Sequence, residues 1–401
     1  MSSQPTGFPY YHTTRFSAVL GGQQIAVVSK PGLPEWDIIA PAAELLGNLV
    51  RPVHGENLLL LGCGHGALAA ALAQQIAPGL VWATDDHIIA LEMTSITAQA
   101  NQVNNLRLLS QIDLPAELTE ACQQVVMLLP KGRNLARRWL LQAWQALPPE
   151  GTFYLAGAKI EGIEPAIKDA QALFGEGSIL GYKKGNRCAR FFKNQPPDEM
   201  PAWAELPGVK PGTWNTLDVR IDRLVLGLQT LPGVFSFNEL DRGTQLLLEH
   251  LPDVTGEQVL DIGCGYGVIG LIAALRGAAN VTLADSSLLA AACARKNQAL
   301  NQVSNAQVVC ADLLNFAPLA PYTLILTNPP FHSGKAVDYQ ITETLIQHAH
   351  LALPPGGRLV LVANRFIRYQ RLMQAVFGSF TTLAETGKFQ VLAATRTPDL
   401  P

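Results

Sequence analysis

The stretch Asn328-Pro329-Pro330-Phe331 carries the most distinctive chemistry in this chain, because it ends an apolar run, 323–327, that predicts a buried strand. The residue before a proline is driven out of the helical region, so the chain should leave the strand extended. The prolines lack N–H donors, which leaves backbone carbonyls as the exposed groups. The Asn328 side chain adds an oxygen acceptor and Phe331 a flat stacking face. This set suits a planar substrate that carries an exocyclic NH2 group.

A glycine-rich turn precedes this stretch in the sequence. Residues 258–262 predict a strand, 268–275 predict a helix, and Gly263, Gly265 and Gly267 lie between them. Such glycines let backbone N–H groups approach a ligand at a helix N-terminus. The spacing differs from the Gly-x-Gly-x-x-Gly of dinucleotide-binding turns, so the turn alone does not identify the ligand.

Acidic residues lie at the ends of the neighbouring predicted strands. Asp261 lies in the first, and Asp285 ends the second, 24 residues later (285 − 261 = 24). An acid at the position of Asp285 is placed to accept hydrogen bonds from ribose hydroxyls. Asp312 follows a third apolar run, where its carboxylate is expected to reach an adenine amino group. One such acid would fit a helix cap, but three in succession before Asn328 favour a ligand site.

This order of motifs resembles the class I S-adenosylmethionine-dependent methyltransferases that methylate exocyclic amino nitrogens of planar groups. Residues 233–236, a predicted helix over 240–248 and the segment 327–332 are similar to those of bacterial ribosomal RNA (guanine-N(2)-)-methyltransferases of small- or large-subunit type. In that family the chain carries two methyltransferase-like domains, of which the second is active. The resemblance covers about 217–396 of this sequence.

The resemblance implies S-adenosylmethionine as the cofactor and assigns roles to particular residues. The cofactor-binding residues are expected to be Asp261, Gly263, Gly265, Gly267, Asp285, Asp312 and Asn328. The catalytic residues are expected to be Asn328, Pro329 and Phe331, with the first two accepting hydrogen bonds from the amino group and Phe331 stacking on the base. Phe235, His332 and Arg365 are expected to contact the substrate, Phe235 by closing the pocket.

The first half of the chain repeats the second. Gly62, Gly64 and Gly66 match the three glycines of the later turn at an offset of 201 (263 − 62 = 201), so the period is a whole domain. Leu60 stands where Asp261 stands, and 126–131 contains no counterpart of the Asn-Pro-Pro-Phe stretch. A leucine accepts no hydrogen bond, so we expect the first copy not to methylate.

The predicted fold is α/β, with two tandem class I (Rossmann-like) methyltransferase domains, the first degenerate. We predict a degenerate domain over 1–194 that recognises RNA or supports its neighbour, a proline-rich linker over 195–213, and a catalytic domain over 214–401. In each domain a hairpin should precede a doubly wound, largely parallel sheet with an antiparallel last strand.

The composition fits two α/β cores, since 48% of the residues are hydrophobic and 15% are charged. No apolar run is long enough to cross a membrane, and residues 1–16 contain no apolar signal core. The six cysteines form no Cys-x-x-Cys pair and no cluster with histidine. We therefore expect reduced thiols, no metal site and a cytoplasmic location, and we expect a monomer.

Two cation-rich runs favour an RNA partner although the net charge is −3. Residues 182–193 and 356–384 contain no acid; the first run holds Lys183, Lys184, Arg187 and Arg190, and the second holds Arg365. Aromatic residues are interleaved with these cations, and RNA phosphates need cations while its bases need stacking faces. The expected partner is ribosomal RNA, a ribosomal subunit or an assembly particle; the alternative is two ordinary solvated faces.

The predicted activity is methylation of guanine N2 in ribosomal RNA, with the small subunit favoured. Two alternatives are enzymes: a methyltransferase of glutamine side chains in protein, and an adenine-amino methyltransferase of DNA. Neither accounts for a degenerate duplicate domain. A third alternative is an RNA-binding ribosome assembly factor without activity, against which the intact stretch 328–331 argues.

Overall fold

The computed structural model describes residues 10, 12–194, 197, 199–313, 321–329 and 336–397, with the backbone alone at 336–341. Contacts within the chain divide it into two compact units, Met1–Trp214 (unit 1) and Asn215–Pro401 (unit 2). The predicted boundary between linker and second domain, 213/214, lies one residue before this division.

Unit 1 begins with a β-hairpin and continues with alternating strands and helices. Its elements are β1 Thr14–Leu20, β2 Gln23–Ser29, α1 Pro41–Leu49, β3 Leu58–Leu61, α2 Ala67–Ile76, β4 Val81–Thr84, α3 Ile88–Ala100, β5 Leu106–Leu109, β6 Gln124–Leu128, α4 Arg133–Ala146, β7 Thr152–Ala158, α5 Ile163–Phe174, β8 Ser178–Lys183 and β9 Asn186–Phe192.

Unit 2 repeats this order of elements. They are β10 Asn215–Ile221, β11 Leu224–Thr230, α6 Arg242–Glu249, β12 Gln258–Ile262, α7 Val268–Leu275, β13 Asn280–Asp285, α8 Leu288–Leu300, β14 Ala306–Cys310, β15 Leu324–Thr327, α9 Ala336–Ala352, β16 Arg358–Asn364, α10 Tyr369–Phe377, β17 Thr381–Glu385 and β18 Phe389–Thr395. None of the helices in the described ranges has the length and apolarity needed to span a membrane.

Each unit has a seven-stranded sheet in the described part of the chain. The strand orders are β5-β4-β3-β6-β7-β9-β8 and β14-β13-β12-β15-β16-β18-β17. Neighbouring strands pair in parallel, except that β9 and β18 run antiparallel to both of their neighbours. The predicted fold class is confirmed. In unit 2 the strand order reverses between β12 and β15, and ligand crevices form at the carboxyl ends of strands at such a point.

The two units also share the way in which the hairpin is attached. The Thr97 hydroxyl accepts from the Val28 N–H and donates to the Val28 carbonyl, both at 3.1 Å. In unit 2 the Asn297 amide makes the same pair of bonds to Gln229, at 2.6 and 2.9 Å. A polar side chain on α3 or α8 thus satisfies the backbone N–H and carbonyl of one hairpin residue, and this pair of bonds helps to hold the hairpin in place.

Residues 201–213 pack against unit 1, although 195–213 was predicted as a linker. Trp203 is buried. The buried Arg138 on α4 donates from Nη1 to the Gly208 carbonyl at 2.6 Å and forms an ion pair with Asp113. An aromatic anchor and a buried cation with its acceptors therefore fasten this segment, so it is not a free connection.

Candidate active site

Asn328 leaves the carboxyl end of β15 and reaches the N-terminus of α6. Its Nδ2 donates to Thr244 Oγ1 at 2.8 Å and to Asp241 Oδ2 at 3.2 Å. Asp241 also caps α6, accepting from the Thr244 N–H at 2.8 Å. The Asn328 Oδ1 is buried and has no hydrogen-bond partner among the described residues. The amide is therefore held by its donors and presents an unsatisfied acceptor at this edge of the sheet.

Asp261 lies near the carboxyl end of β12 and is fully buried. Its Oδ2 accepts from the Gly270 N–H in α7 at 2.9 Å, and its Oδ1 has no partner among the described residues. The pKa of Asp261 is raised to about 7. Burial is the main cause, the hydrogen bond from Gly270 opposes the rise, and the charge of Asp285 contributes to it. This carboxyl group is thus a second unsatisfied acceptor beside the glycine turn.

The glycine turn between β12 and α7 uses its own N–H groups. The Gly263 and Cys264 N–H groups donate to the Ala284 carbonyl at 2.9 and 3.0 Å, and the Gly267 N–H donates to the Cys264 carbonyl at 2.8 Å. These N–H groups are therefore bonded within the protein, and the approach of the turn backbone to a ligand remains a prediction. At Gly263 an added Cβ would meet no described atom within 4 Å, so the turn instead offers open space above its backbone.

Asp285 is the last residue of β13 and Asp312 lies two residues after β14, at the same edge of the sheet. Asp285 accepts from the Gly265 N–H at 2.8 Å and from the Ser287 N–H at 2.9 Å, one bond to each carboxylate oxygen. Each of these oxygens can accept a second hydrogen bond. Asp312 is buried. Both acids thus lie at the sheet edge where the sequence predicts a cofactor. The hydrogen bonds given for Asp285 are to backbone N–H groups, one of them in the glycine turn.

The remaining residues predicted for this pocket are placed as follows. Phe235 is 56% exposed, next to the buried Val234, whose Cγ1 lies 3.9 Å from the position of a Cβ added at Gly265. Pro329 is buried. Phe331 and His332 lie outside the described residues.

Comparison with known proteins agrees with this geometry. The profile of the methyltransferase small domain matches twice, over residues 24–185 and 226–393. Ribosomal RNA small subunit methyltransferase C of Pseudomonas putida (strain W619) is 36% identical over 293 residues, covering 71% of this chain and 82% of that protein. The chain belongs to this methyltransferase C family. The family predicted from the motifs is thus confirmed.

Other members of the methyltransferase C family are similar over more of the chain. The protein of that name from Hahella chejuensis is 32% identical over 343 residues, covering 85% of this chain and 94% of its own length. Among solved structures, the T. thermophilus 16S rRNA N2 G1207 methyltransferase, in complex with AdoMet and guanosine, matches with a TM-score of 0.79. It is 29% identical, and the match covers 97% of this chain and 99% of that one.

Unit 1 of this methyltransferase C family member packs side chains against the first glycine of its turn. An added Cβ at Gly62 would lie 3.2 Å from Leu128 Cβ and 3.3 Å from Trp139 Cζ3, whereas one at Gly263 would meet no described atom within 4 Å. Leu60, at the position of Asp261, is fully buried. Apolar side chains therefore lie beside the first glycine of the turn in unit 1, and a leucine replaces the acid.

The cations predicted to contact RNA are partly neutralised by acids from other elements. Lys183 forms an ion pair with Glu44, and Arg187 with Glu164. Lys184 is exposed in the β8–β9 turn and makes no ion pair with a described residue. The guanidinium of Arg190 lies 5.1 Å from the ring centroid of Phe192.

Arg365, predicted to contact the substrate, is paired on the surface of unit 2. Its Nη2 lies 2.7 Å from Glu385 Oε1, and both side chains are about half exposed. An exposed pair of this kind contributes little to stability. No contact in the described part of the chain connects Arg365 with Asn328.

Three features of the site were missed in the sequence. Asp241 and Thr244, which hold Asn328, carry a recognisable signal, since an Asp three residues before a Thr at the start of an apolar helix is a capping pattern. The packing of Leu128 and Trp139 against Gly62 carries no such signal, because it joins residues from three separate elements.

Proposed function

We propose that the protein transfers a methyl group from S-adenosylmethionine to the N2 amino group of a guanine in small-subunit ribosomal RNA. Membership of the methyltransferase C family supports this, as does the similarity to a T. thermophilus N2 guanosine methyltransferase bound to AdoMet and guanosine. The observation that carries the proposal is the amide of Asn328, whose donors are bonded while its oxygen has no partner among the residues that the structure describes.

The fixed amide of Asn328 selects an amino group as its partner. A buried acceptor without a hydrogen bond costs about 1–3 kcal/mol, so its presence is explained when a ligand supplies the donor. The Asp241 carboxylate and Thr244 hydroxyl keep the Asn328 NH2 turned toward α6, so the amide cannot rotate to offer a donor instead. Guanine N2 has two hydrogens, of which Asn328 accepts one and the Pro329 carbonyl the other.

The residues around the glycine turn fit the cofactor. The space above Gly263 is open among the described residues, and the Asp261 Oδ1 is an orphaned buried acceptor. Asp285 accepts hydrogen bonds from ribose hydroxyls, since a carboxylate oxygen can accept more than one, and Asp312 accepts from the adenine amino group. When bound, S-adenosylmethionine supplies an electrophilic methyl group on its sulfonium. Asp261, Asp285 and Asp312 orient it from the strand ends.

The chain contributes to the reaction mainly by positioning. Two acceptors on N2 weaken its conjugation with the ring and direct its lone pair away from the base plane. Phe331 stacks on the base, while His332 and Phe235 shape the pocket. Because N2 lies at the minor-groove edge, the guanine must be unpaired or flipped out, which costs a few kcal/mol. With S-adenosylmethionine bound, these residues would hold N2 facing the methyl group that the cofactor supplies. N2 would gain the methyl group as the bond from carbon to sulfur breaks, and would then release a proton to solvent.

Unit 1 is proposed to present the RNA and not to methylate. The support is the packing of Leu128 and Trp139 against Gly62 and a depression of about 270 Å³ lined by Lys159, Tyr182, Lys183, Lys184, Gly185, Asn186 and Arg187. Lys184 is the cation best placed for a phosphate, since Lys183 and Arg187 are paired with acids. We further propose that unit 1 recognises RNA or supports unit 2, that unit 2 methylates, and that the protein is cytoplasmic and monomeric.

The test is to separate turnover from cofactor binding. Asn328→Ala removes the acceptor of the amino group, so we expect turnover to fall about a hundredfold or more with cofactor affinity near that of the wild type. Thr244→Val keeps the side-chain shape and removes one anchor of the amide, so turnover should fall about tenfold. Near-normal methylation by a folded Asn328→Ala protein would contradict the proposal.

The substrate class is tested with radiolabelled methyl transfer to small ribosomal subunits, to DNA and to release-factor protein. Label in N2-methylguanosine of the RNA is the expected result. Label in glutamine or in adenine would favour the enzymatic alternatives, and no label in any of them would favour an assembly factor. In a strain that lacks the protein, mass mapping should show one N2-methylguanosine missing from small-subunit RNA.

A further inference from the structure

A second side-chain amide at the same sheet edge has an unsatisfied oxygen. Asn364 is the last residue of β16, and its Oδ1 is buried without a hydrogen-bond partner among the described residues. Buried side-chain acceptors are nearly always paired, so each exception needs a cause. The neighbouring strand β15 ends immediately before Asn328, whose Oδ1 is in the same condition.

Strand register places Asn364 on the same face of the sheet as Asn328. Thr327 of β15 is opposite Leu361 of β16, so Asn328 continues opposite Val362, and Asn364 lies two residues further on the same face. A neighbouring strand and two residues of rise separate their Cα atoms by about 8 Å.

The antiparallel neighbour agrees with this assignment. Asn364 is opposite Phe389 of β18. The ring of Phe389 approaches the N-terminus of α6, where a Cβ added at Gly243 would lie 3.2 Å from it. Asn328 also reaches this N-terminus through Thr244. The two unsatisfied oxygens therefore lie on the α6 face of the sheet.

Unit 1 keeps the strand pairing and lacks both amides. Ala158 ends β7 opposite Asn186, as Asn364 ends β16 opposite Phe389. Leu128, the next residue after Met127, takes the place of Asn328. The strand pairing thus does not require an asparagine at this strand end, and unit 1 has neither of the two amide oxygens.

We infer that Asn364 is a second base-recognition residue, whose side-chain oxygen accepts the N1–H of the target guanine. This rests on the proposed function. Guanine carries the N1–H donor directly beside its N2 amino group, so an acceptor one strand from Asn328 faces N1 when Asn328 holds N2. A purine whose N1 carries no hydrogen cannot donate to the Asn364 oxygen, which then has no partner on the base. Asn364 therefore selects guanine among purines that bear a 2-amino group.

The test compares guanine with 2-aminopurine, which keeps the 2-amino group but has an unprotonated N1 and no O6. Small ribosomal subunits are reconstituted with RNA that carries either base at the nucleotide matching that of the T. thermophilus relative. The full-length protein is assayed for kcat/KM on both. We expect Asn364→Ala to reduce the wild-type preference for guanine by at least about tenfold. Asn364→Asp, which keeps an acceptor, should retain that preference.

The matched control is Asn328→Ala. It removes a contact to the amino group that both bases carry, so methylation of both should fall by the same factor and the preference should persist. An unchanged preference in Asn364→Ala, with cofactor binding intact by calorimetry, would overturn the inference and leave the proposed function standing. If the wild-type protein methylates neither base, the proposed function itself fails. Ala158 shows that an alanine is compatible with this strand pairing.

Discussion

The two glycine turns of the chain have nearly the same backbone and different contents. In both, an acid at the end of the next strand accepts from the middle glycine, Asp85 from Gly64 at 3.0 Å and Asp285 from Gly265 at 2.8 Å. At the first glycine, Leu128 and Trp139 lie within 3.3 Å of a Cβ added in unit 1, whereas no described atom lies within 4 Å of one added in unit 2. The comparison teaches that the acid maintains the turn and does not by itself indicate a ligand. Open space and unsatisfied acceptors distinguish the two.

The largest expected effect is on the number of cofactor sites. Because Leu128 and Trp139 pack against Gly62 and Leu60 replaces Asp261, S-adenosylmethionine should bind unit 1 at least ~1000-fold more weakly than unit 2, a difference of about 4 kcal/mol. Isothermal titration of the whole chain should give one site per molecule. Two sites of equal affinity would abolish the distinction between the units.

Next in size is the pH dependence of stability that Asp261 gives to unit 2. Its pKa is about 7 in the folded protein and about 4 when unfolded. Between these values the folded state binds more protons, so the free energy of unfolding should fall as pH rises from 4 to 7, by roughly 3 kcal/mol. Asp261→Asn should remove this fall in urea unfolding followed at pH 4.5 and pH 8. Parallel pH profiles for variant and wild type would show that this carboxyl group does not titrate there.

A smaller effect separates the two turn-bracing acids. Asp285→Ala should weaken S-adenosylmethionine binding by at least ~1.5 kcal/mol, because charge-assisted hydrogen bonds to the ribose are lost. Asp85→Ala loses the equivalent backbone bonds and should leave binding unchanged. Each variant should lower the melting temperature of the chain. If both variants bind the cofactor equally well, Asp285 is only a turn residue.

The smallest effect concerns RNA binding by unit 1. Lys184→Ala should weaken binding to small-subunit RNA by less than about 1 kcal/mol and lower the slope of log affinity against log salt by about one. Lys183→Ala is the matched control, since its charge is already paired with Glu44. Filter binding at several salt concentrations measures both. If the two variants have equal slopes of log affinity against log salt, the ion pair with Glu44 does not determine which of the two lysines contacts an RNA phosphate.

Much of the fold could be predicted because its signals are local. Buried parallel strands read as apolar runs, and β12 and the helix α7 that follows it have the predicted bounds, 258–262 and 268–275. The turn at Gly267, with φ of +92°, requires a glycine and reveals itself in the sequence.

The rest depends on side chains that meet across the fold. The bond from Asn328 to Asp241 joins residues 87 apart, and Glu44 neutralises Lys183 across 139 residues. The motifs, the hydrophobic periodicity and the composition of the sequence do not reveal such pairings. Asn364 could have been noticed as an amide at a strand end, but only strand register shows which face it occupies.

The packing of residues 201–213 against the rest of unit 1 determines where the chain can be cut into separate domains. The repeat in the sequence suggests a cut near Asn194, but that cut would remove Trp203 and deprive the buried Arg138 guanidinium of the Gly208 carbonyl. The guanidinium would keep its ion pair with Asp113 but lose one acceptor, and the loss of a hydrogen bond to a charged group costs about 1.5–3 kcal/mol. The duplicated length is thus shorter than the compact unit, and an excised first half retains its anchor when it extends to Trp214.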